Sequence, residues 1–405
     1  MNYTTLYYVS LSMCSVLIFF HTLKINLKWQ NFVICILLLG TLHFLSIYNV
    51  FIDFLPGAEL DANSFWTTAS KAADKNHAPT FHIGAQAYIV ILYWQIIFTV
   101  NELVIIQLFS IILSALNLLL ITRLFLTIGG HSSGVGAIAL LLFLSPSFLL
   151  HSVITLREPL QLFSLLLFVY FTIRSQTLLR LYISSFFLVL AVITHQALLI
   201  FGITIIALYS FILIFINYRS RDYFFIRIIS YLLFVTFFSL YFIYNIPVLS
   251  DNTLAELSKQ GILEHLQAYR KPIEESLANT AHNFNLSFAT VKSSIYSILL
   301  NYLYYLFGPI INFKFTIEHT VLFWEAAIRA VGIFLMISTL VKETNKKTHL
   351  LLIVYYFTMT LLWSLGTTND GQAFRHHFLS QWIICIYIAL KYCQIPQLKE
   401  SNKLA

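Results

Sequence analysis

Apolar runs of about 20 residues recur along this chain, each long enough to cross the hydrocarbon core of a bilayer as a helix. They lie near 5–23, 31–52, 103–122, 133–151, 159–174, 181–194, 197–216, 224–245, 320–341, 349–366 and 375–391. In lipid every backbone N–H and C=O must find a partner within the protein, and runs of this length meet that demand as helices. The stretch 181–217 is continuous in hydropathy and divides at Thr194–His195, where a polar pair marks a turn. Ile83–Val100 and Ser293–Phe313 are also apolar. The first is short and follows a polar stretch, and both are expected to lie in the membrane interface. The expected fold is therefore all-α: a polytopic integral membrane protein with about 11 transmembrane helices, forming a single domain over 1–405.

Composition agrees. Of 405 residues, 59% are hydrophobic and 10% charged, against roughly 25% charged in a soluble domain. A soluble enzyme, a nucleic-acid-binding module and a disordered chain are excluded. The four cysteines, Cys14, Cys35, Cys385 and Cys393, lie in or beside apolar runs without metal-ligand spacing and are expected to pack as small apolar groups. No basic residue precedes the first run and no small-residue cleavage site follows it, so a cleaved signal peptide is not expected.

The formal charge of +7 sorts by membrane side. One set of short connections holds Lys24/Lys28, Arg123, Arg174/Arg180, Arg219/Arg221/Arg227, Lys342/Lys346/Lys347 and Lys391/Lys399/Lys403. These are 14 of the 24 basic residues, accompanied only by Asp222, Glu343 and Glu400. The opposite side receives two long loops, about 53–102 and 246–319, and short ones near 152–158 and 367–375, together holding 13 of the 17 acids. Basic short loops face the cytoplasm. The N-terminus and both long loops are thus expected outside, with interfacial helices in the loops.

Ionisable groups at a membrane edge are costly and mark candidate sites. Three outer clusters stand out. The first, Pro56 to Trp66, carries Glu59 and Asp61 just beyond the second run. A weakly hydrated carboxylate there can accept a proton from an attacking hydroxyl or join a divalent cation site. Alternatively, the Asp caps a short interfacial helix from Asn63 to Lys75. The second contains Ser145-Pro146, His151 and Arg157-Glu158-Pro159. Pro159 and Glu158 suit a helix N-terminus, whereas an outer Arg157 runs against the charge bias. The third, Gly366 to His377, leads Arg375, His376 and His377 into the last run. A guanidinium fork fits phosphate oxygens, and a helix N-terminus adds donors. Adjacent histidines point about 100° apart on a helix and do not share an ion. His195, at an outer helix end, is a further candidate contact. Glu325 and Arg329, four apart inside a run, read as a mutually paired structural couple. Hydroxyl activation beside phosphate recognition is the chemistry of moving a sugar from a lipid phosphate carrier.

This layout resembles the GT-C superfamily of polytopic glycosyltransferases, in its bacterial polyprenyl-phosphate-dependent branch. The matching pieces are Glu59 and Asp61 in the early outer loop, Ser145-Pro146 followed by Arg157-Glu158, Leu306-Phe307-Gly308-Pro309, and Asn369-Asp370-Gly371-Gln372-Ala373-Phe374-Arg375-His376-His377. The resemblance implies transfer of a sugar from an undecaprenyl-phosphate-linked donor at the periplasmic face of the bacterial inner membrane. It assigns Asp61 as base with Glu59 second, Glu158 as partner for the acceptor or a metal, and Arg375 with His376 as the carrier-phosphate site. The chain departs from the pattern by an extra early span, by Glu-Leu-Asp in place of adjacent acids, and by the lack of a large soluble C-terminal domain. The last point favours a glycolipid or polysaccharide acceptor. O-antigen and capsule repeat-unit polymerases, which use pyrophosphate-linked oligosaccharides, share the size and outer arginines. A lipid-linked saccharide flippase or transporter is the rival from another class; it would show repeat symmetry or broken helices with polar groups near the midplane.

Overall fold

In a computed structural model, residues 29–52, 55, 62–174, 178–195, 197–216, 291–311, 316–342, 346–367 and 370–404 are described. The regular structure among them is helical. The helices are α1 (Trp29–Phe51), α2 (Asn63–Asp74), α3 (Ala85–Phe98), α4 (Leu103–Thr127), α5 (Val135–Phe143), α6 (Pro146–Val153), α7 (Glu158–Ile173) and α8 (Leu178–Thr194). They continue with α9 (Ala197–Ile216), α10 (Val291–Ile311), α11 (Ile317–Lys342), α12 (Lys346–Gly366) and α13 (Asp370–Leu404). Four segments, Gln30–Phe51, Leu103–Thr127, His319–Thr339 and Thr348–Leu365, are long and apolar enough to cross a membrane. Shorter apolar helices include Ala85–Phe98, Glu158–Ile173, Tyr182–Thr194, Ala197–Leu208 and Ile295–Ile311. The expected runs near 5–23 and 224–245 lie outside the described residues.

The run at 133–151 differs from its expectation as one straight span. It forms two helices, Ser132–Phe143 and Pro146–Val153, bent by 76°. Pro146 brings no N–H, and its ring opposes the carbonyl four residues earlier, so the first helix stops at Phe143 and Pro146 opens the next. The division at Thr194–His195 does occur, between α8 and α9. In the segment after Asp61, a helix covers Asn63–Asp74, with Ala62 rather than a polar side chain at its cap position.

The helices group into two compact units, one of residues 1–196 and 385–405, the other of 197–384. In the first, α4 packs against α7, α1 and α6, while α7 and α8 form an antiparallel hairpin and α2 and α3 another. In the second, α12 packs against α9, α10 and α11. Phe44, Phe51, Phe98, Phe186 and Phe334 are exposed, whereas Gln107, Ser110, Ser114, Asn117 and Gln161 are almost wholly buried. Apolar exteriors around polar interiors suit helices that meet lipid outside and one another within.

Close approach in the second unit depends on Gly332 of α11. A methyl group there would run into Cγ2 of Ile384 on α13, and the branched Ile384 side chain has little freedom to withdraw. Gly332→Ala is expected to lose about 1–3 kcal/mol of stability, read as a lowered midpoint of thermal unfolding in detergent. An unchanged midpoint would mean that α11 and α13 yield freely at this contact.

Candidate functional site

The first unit centres on a polar stripe. Gln107, Ser110, Ser114 and Asn117 follow one another at spacings of three and four, which aligns them on one face of α4. All four are at most 1% exposed. Ser46 Oγ donates to Gln107 Oε1 at 2.8 Å. The Tyr88 and Ser110 hydroxyls are hydrogen-bonded. Asn117 Nδ2 donates to the Pro159 carbonyl at 3.1 Å, fixing the first turn of α7 against the middle of α4.

That turn carries Glu158. It is 3% exposed, close to the electropositive start of α7, and within electrostatic reach of Tyr88. Burial, reinforced by the Glu158 charge, pushes the Tyr88 phenol above its ordinary range and keeps it protonated. A carboxylate and a phenol thus share one buried environment, an arrangement suited to holding or moving a proton. Arg157 points elsewhere: Nη1 donates to the Thr194 carbonyl at 3.1 Å, at the end of α8. Its cation complements the negative end of that helix. His195 follows, half-buried, with its backbone N–H on the Val192 carbonyl at 3.0 Å. Arg157 and His195 therefore meet at one helix end. Glu59 and Asp61 lie outside the described residues.

In the second unit the neighbouring histidines of α13 separate, as their angular spacing requires. His376 stacks on Trp363 with centroids 4.1 Å apart, and its Nδ1 is 3.0 Å from Thr367 Oγ1, which ties α13 to the end of α12. His377 turns to α10, where Nε2 donates to the Tyr305 carbonyl at 3.0 Å. Arg375 is half-buried beside them. Pro309 explains the His377 bond. Lacking an N–H, it leaves the carbonyl four residues back without its helical donor, and that carbonyl belongs to Tyr305. His377 supplies the missing proton. One residue on, the Leu306 carbonyl accepts from Arg329 Nη1 at 2.8 Å.

Arg329 sits midway along the apolar segment His319–Thr339 and is 3% exposed. Its Nη1 thus serves α10, where the Glu325–Arg329 spacing predicts a couple within one helix. Both side chains line a cleft with Tyr305, Pro309, Leu322, Ala373, Phe374 and His377. Burial pushes the Tyr305 phenol well above its ordinary range, against the opposing pull of the Arg329 charge. Among the described residues, the Tyr305 hydroxyl, Arg329 Nε and His377 Nδ1 are buried without a hydrogen-bond partner. Such groups are costly to leave unmet.

No group of three His, Cys, Asp or Glu side chains arranged to hold a metal ion occurs among the described residues. Cys35 and Cys385 are buried and Cys393 partly so, all three as free thiols. No protein-family model matches the chain, and no curated protein is significantly similar to it.

Arg157, Glu158 and His195 lie at helix ends, whereas Arg375, His376 and His377 are expected at the start of the last helix and are instead the sixth to eighth residues of α13, because that helix already begins at Asp370. Sequence reasoning misses Tyr305 and the α4 stripe, and gives Arg329 only a pairing role. The stripe has a visible signal in its helical spacing. Tyr305 has none, being one of 23 tyrosines.

Proposed function

We propose that this chain is a polytopic membrane glycosyltransferase with about 11 spans. It moves a sugar from an undecaprenyl-phosphate-type carrier to a glycolipid or polysaccharide acceptor at the periplasmic face of a bacterial inner membrane. The observation that carries the reading is the burial of charged side chains among apolar helices: Glu158 and Arg329 are each 3% exposed. Charges held so deeply are costly unless they serve binding or chemistry. A carboxylate and a guanidinium are what acceptor activation and carrier-phosphate recognition require. Asp61 is the proposed base, with Glu59 second and Glu158 as partner for the acceptor or a metal. Arg375, with His376, is the proposed outer contact for the carrier phosphate.

A deletion strain complemented by wild type or by Asp61→Asn tests this through the banding of its surface glycolipids. For a modifying glycosyltransferase, deletion leaves a ladder with each band shifted by one sugar's mass. Wild type reverses the shift and Asp61→Asn does not. Collapse of the ladder to a core with one repeat unit would identify a repeat-unit polymerase acting on pyrophosphate-linked oligosaccharides. Two observations favour a lipid-linked saccharide flippase or transporter as second reading: the 76° break at Ser145–Pro146 and the mid-helix position of Arg329. Accumulation of unmodified, carrier-linked saccharide on the cytoplasmic face of the deletion strain would establish it.

A further inference from the structure

We propose that the junction of α7 and α8 binds the headgroup of an anionic phospholipid, with Arg174 and Arg180 as its cationic contacts. Arg174 follows the last residue of α7, and Arg180 lies in the first turn of α8. Arg180 Nη1 donates to the Arg174 carbonyl at 2.9 Å, which draws the two like charges to one place. Both residues are exposed. Between Glu158 and Asp222 the chain contains no Asp or Glu. The helices packed on this hairpin, α4 against α7 and α3 against α8, contain none either. Glu158 itself stands at the far end of α7, about 24 Å away along the helix. No carboxylate on these helices offsets the pair, and the start of α8 adds the electropositive end of a helix.

Structural duty does not exhaust the two guanidinium groups. Arg180 Nη1 helps to cap α7. Arg174 Nη1 donates to the Tyr170 hydroxyl, and its Cζ lies 4.7 Å from the Tyr170 ring centroid. One nitrogen of each group is so engaged, and a guanidinium carries N–H donors on all three. The Tyr170 contact also holds the Arg174 fork in place, which lowers the ordering cost of binding. The neighbouring surface selects a lipid over a free anion. Leu179, between the arginines in sequence, is 67% exposed, and Phe186 is 60% exposed. Acyl chains cover such apolar faces while the arginines reach the headgroup. The basic short connections, this one included, are those expected to face the cytoplasm, where the leaflet carries anionic lipid.

The inference is independent of the glycosyltransferase reading. Native mass spectrometry of the purified full-length chain, titrated with phosphatidylglycerol or zwitterionic phosphatidylcholine, tests it. Wild type is expected to bind phosphatidylglycerol in preference. Arg174→Gln with Arg180→Gln should weaken that binding about thirtyfold, from about fivefold for each charge, and leave phosphatidylcholine binding unchanged. Arg174→Lys with Arg180→Lys keeps the charges while altering the local hydrogen bonds, and should stay within about fivefold of wild type. Thermal unfolding in phosphatidylcholine nanodiscs checks that both variants are folded. Equal binding of phosphatidylglycerol by wild type and the glutamine pair would overturn the proposal. So would a lysine pair as weak as the glutamine pair, since the arginines would then only shape the turn. Displacement of the lipid by inorganic phosphate, beyond the effect of sodium chloride at equal ionic strength, would make the ligand a free anion and overturn the lipid assignment.

Discussion

Glu158→Gln is expected to lower sugar transfer at least a hundredfold while the protein remains folded. The carboxylate is buried at the first turn of α7, beside the Tyr88 phenol and behind the Asn117–Pro159 hydrogen bond that fixes the turn. Glutamine keeps the volume and the polar character and removes only the charge. The favourable interaction of that charge with the start of α7 is worth about 0.3–1 kcal/mol. Relief from burying a charge works against that loss, and thermal unfolding reads the balance. Loss of a proton-handling group at a reacting centre costs about a hundredfold to ten-thousandfold in rate. The measurement is transfer from a carrier-linked sugar by purified enzyme, alongside thermal unfolding of the same preparation. If Glu158→Gln stays active while Asp61→Asn is dead, Glu158 is only a helix-end charge and the base lies in the loop. If both are dead, the two carboxylates act in one site.

His377→Leu is expected to destabilise the protein by about 1–3 kcal/mol, the cost of leaving a buried carbonyl unmet. Its physical origin is specific. Pro309 denies Tyr305 its helical donor, and His377 Nε2 replaces it at 3.0 Å. In a Pro309→Ala background the new backbone N–H restores that donor, so His377→Leu should then cost much less. The coupling should be about 1–2 kcal/mol, well beyond the near-additivity of independent sites. Thermal or denaturant unfolding of the four proteins in detergent measures it. Additivity within about 0.5 kcal/mol would show that His377 does not stand in for the missing N–H.

Helix existence is legible in the residues because burial in lipid leaves the backbone few choices. Runs near 31–52, 103–122, 197–216 and 349–366 coincide closely with α1, α4, α9 and α12. Local chemistry also marks some ends: Thr194–His195 divides α8 from α9, and Pro159 lies in the first turn of α7. Hydropathy alone carries the run at 133–151 straight through Ser145–Pro146, where the helix in fact bends. The proline rule accounts for the break, but it does not say in which direction the chain continues.

Partner choice is not legible. Glu325 and Arg329, four apart, satisfy a local pairing rule, yet Arg329 Nη1 serves Leu306, 23 residues away, because a proline on another helix exposes that turn. Arg157 has no explanation along the chain; the end of α8, folded beside it, provides one. The sequence by itself determined the solvent, the helices and the expected sidedness, since these follow from hydropathy and charge along one dimension. Only the tertiary structure decided which buried groups retain spare hydrogen-bonding capacity. That property depends on which helices pack together, and the identities of residues next to one another in the chain do not encode it.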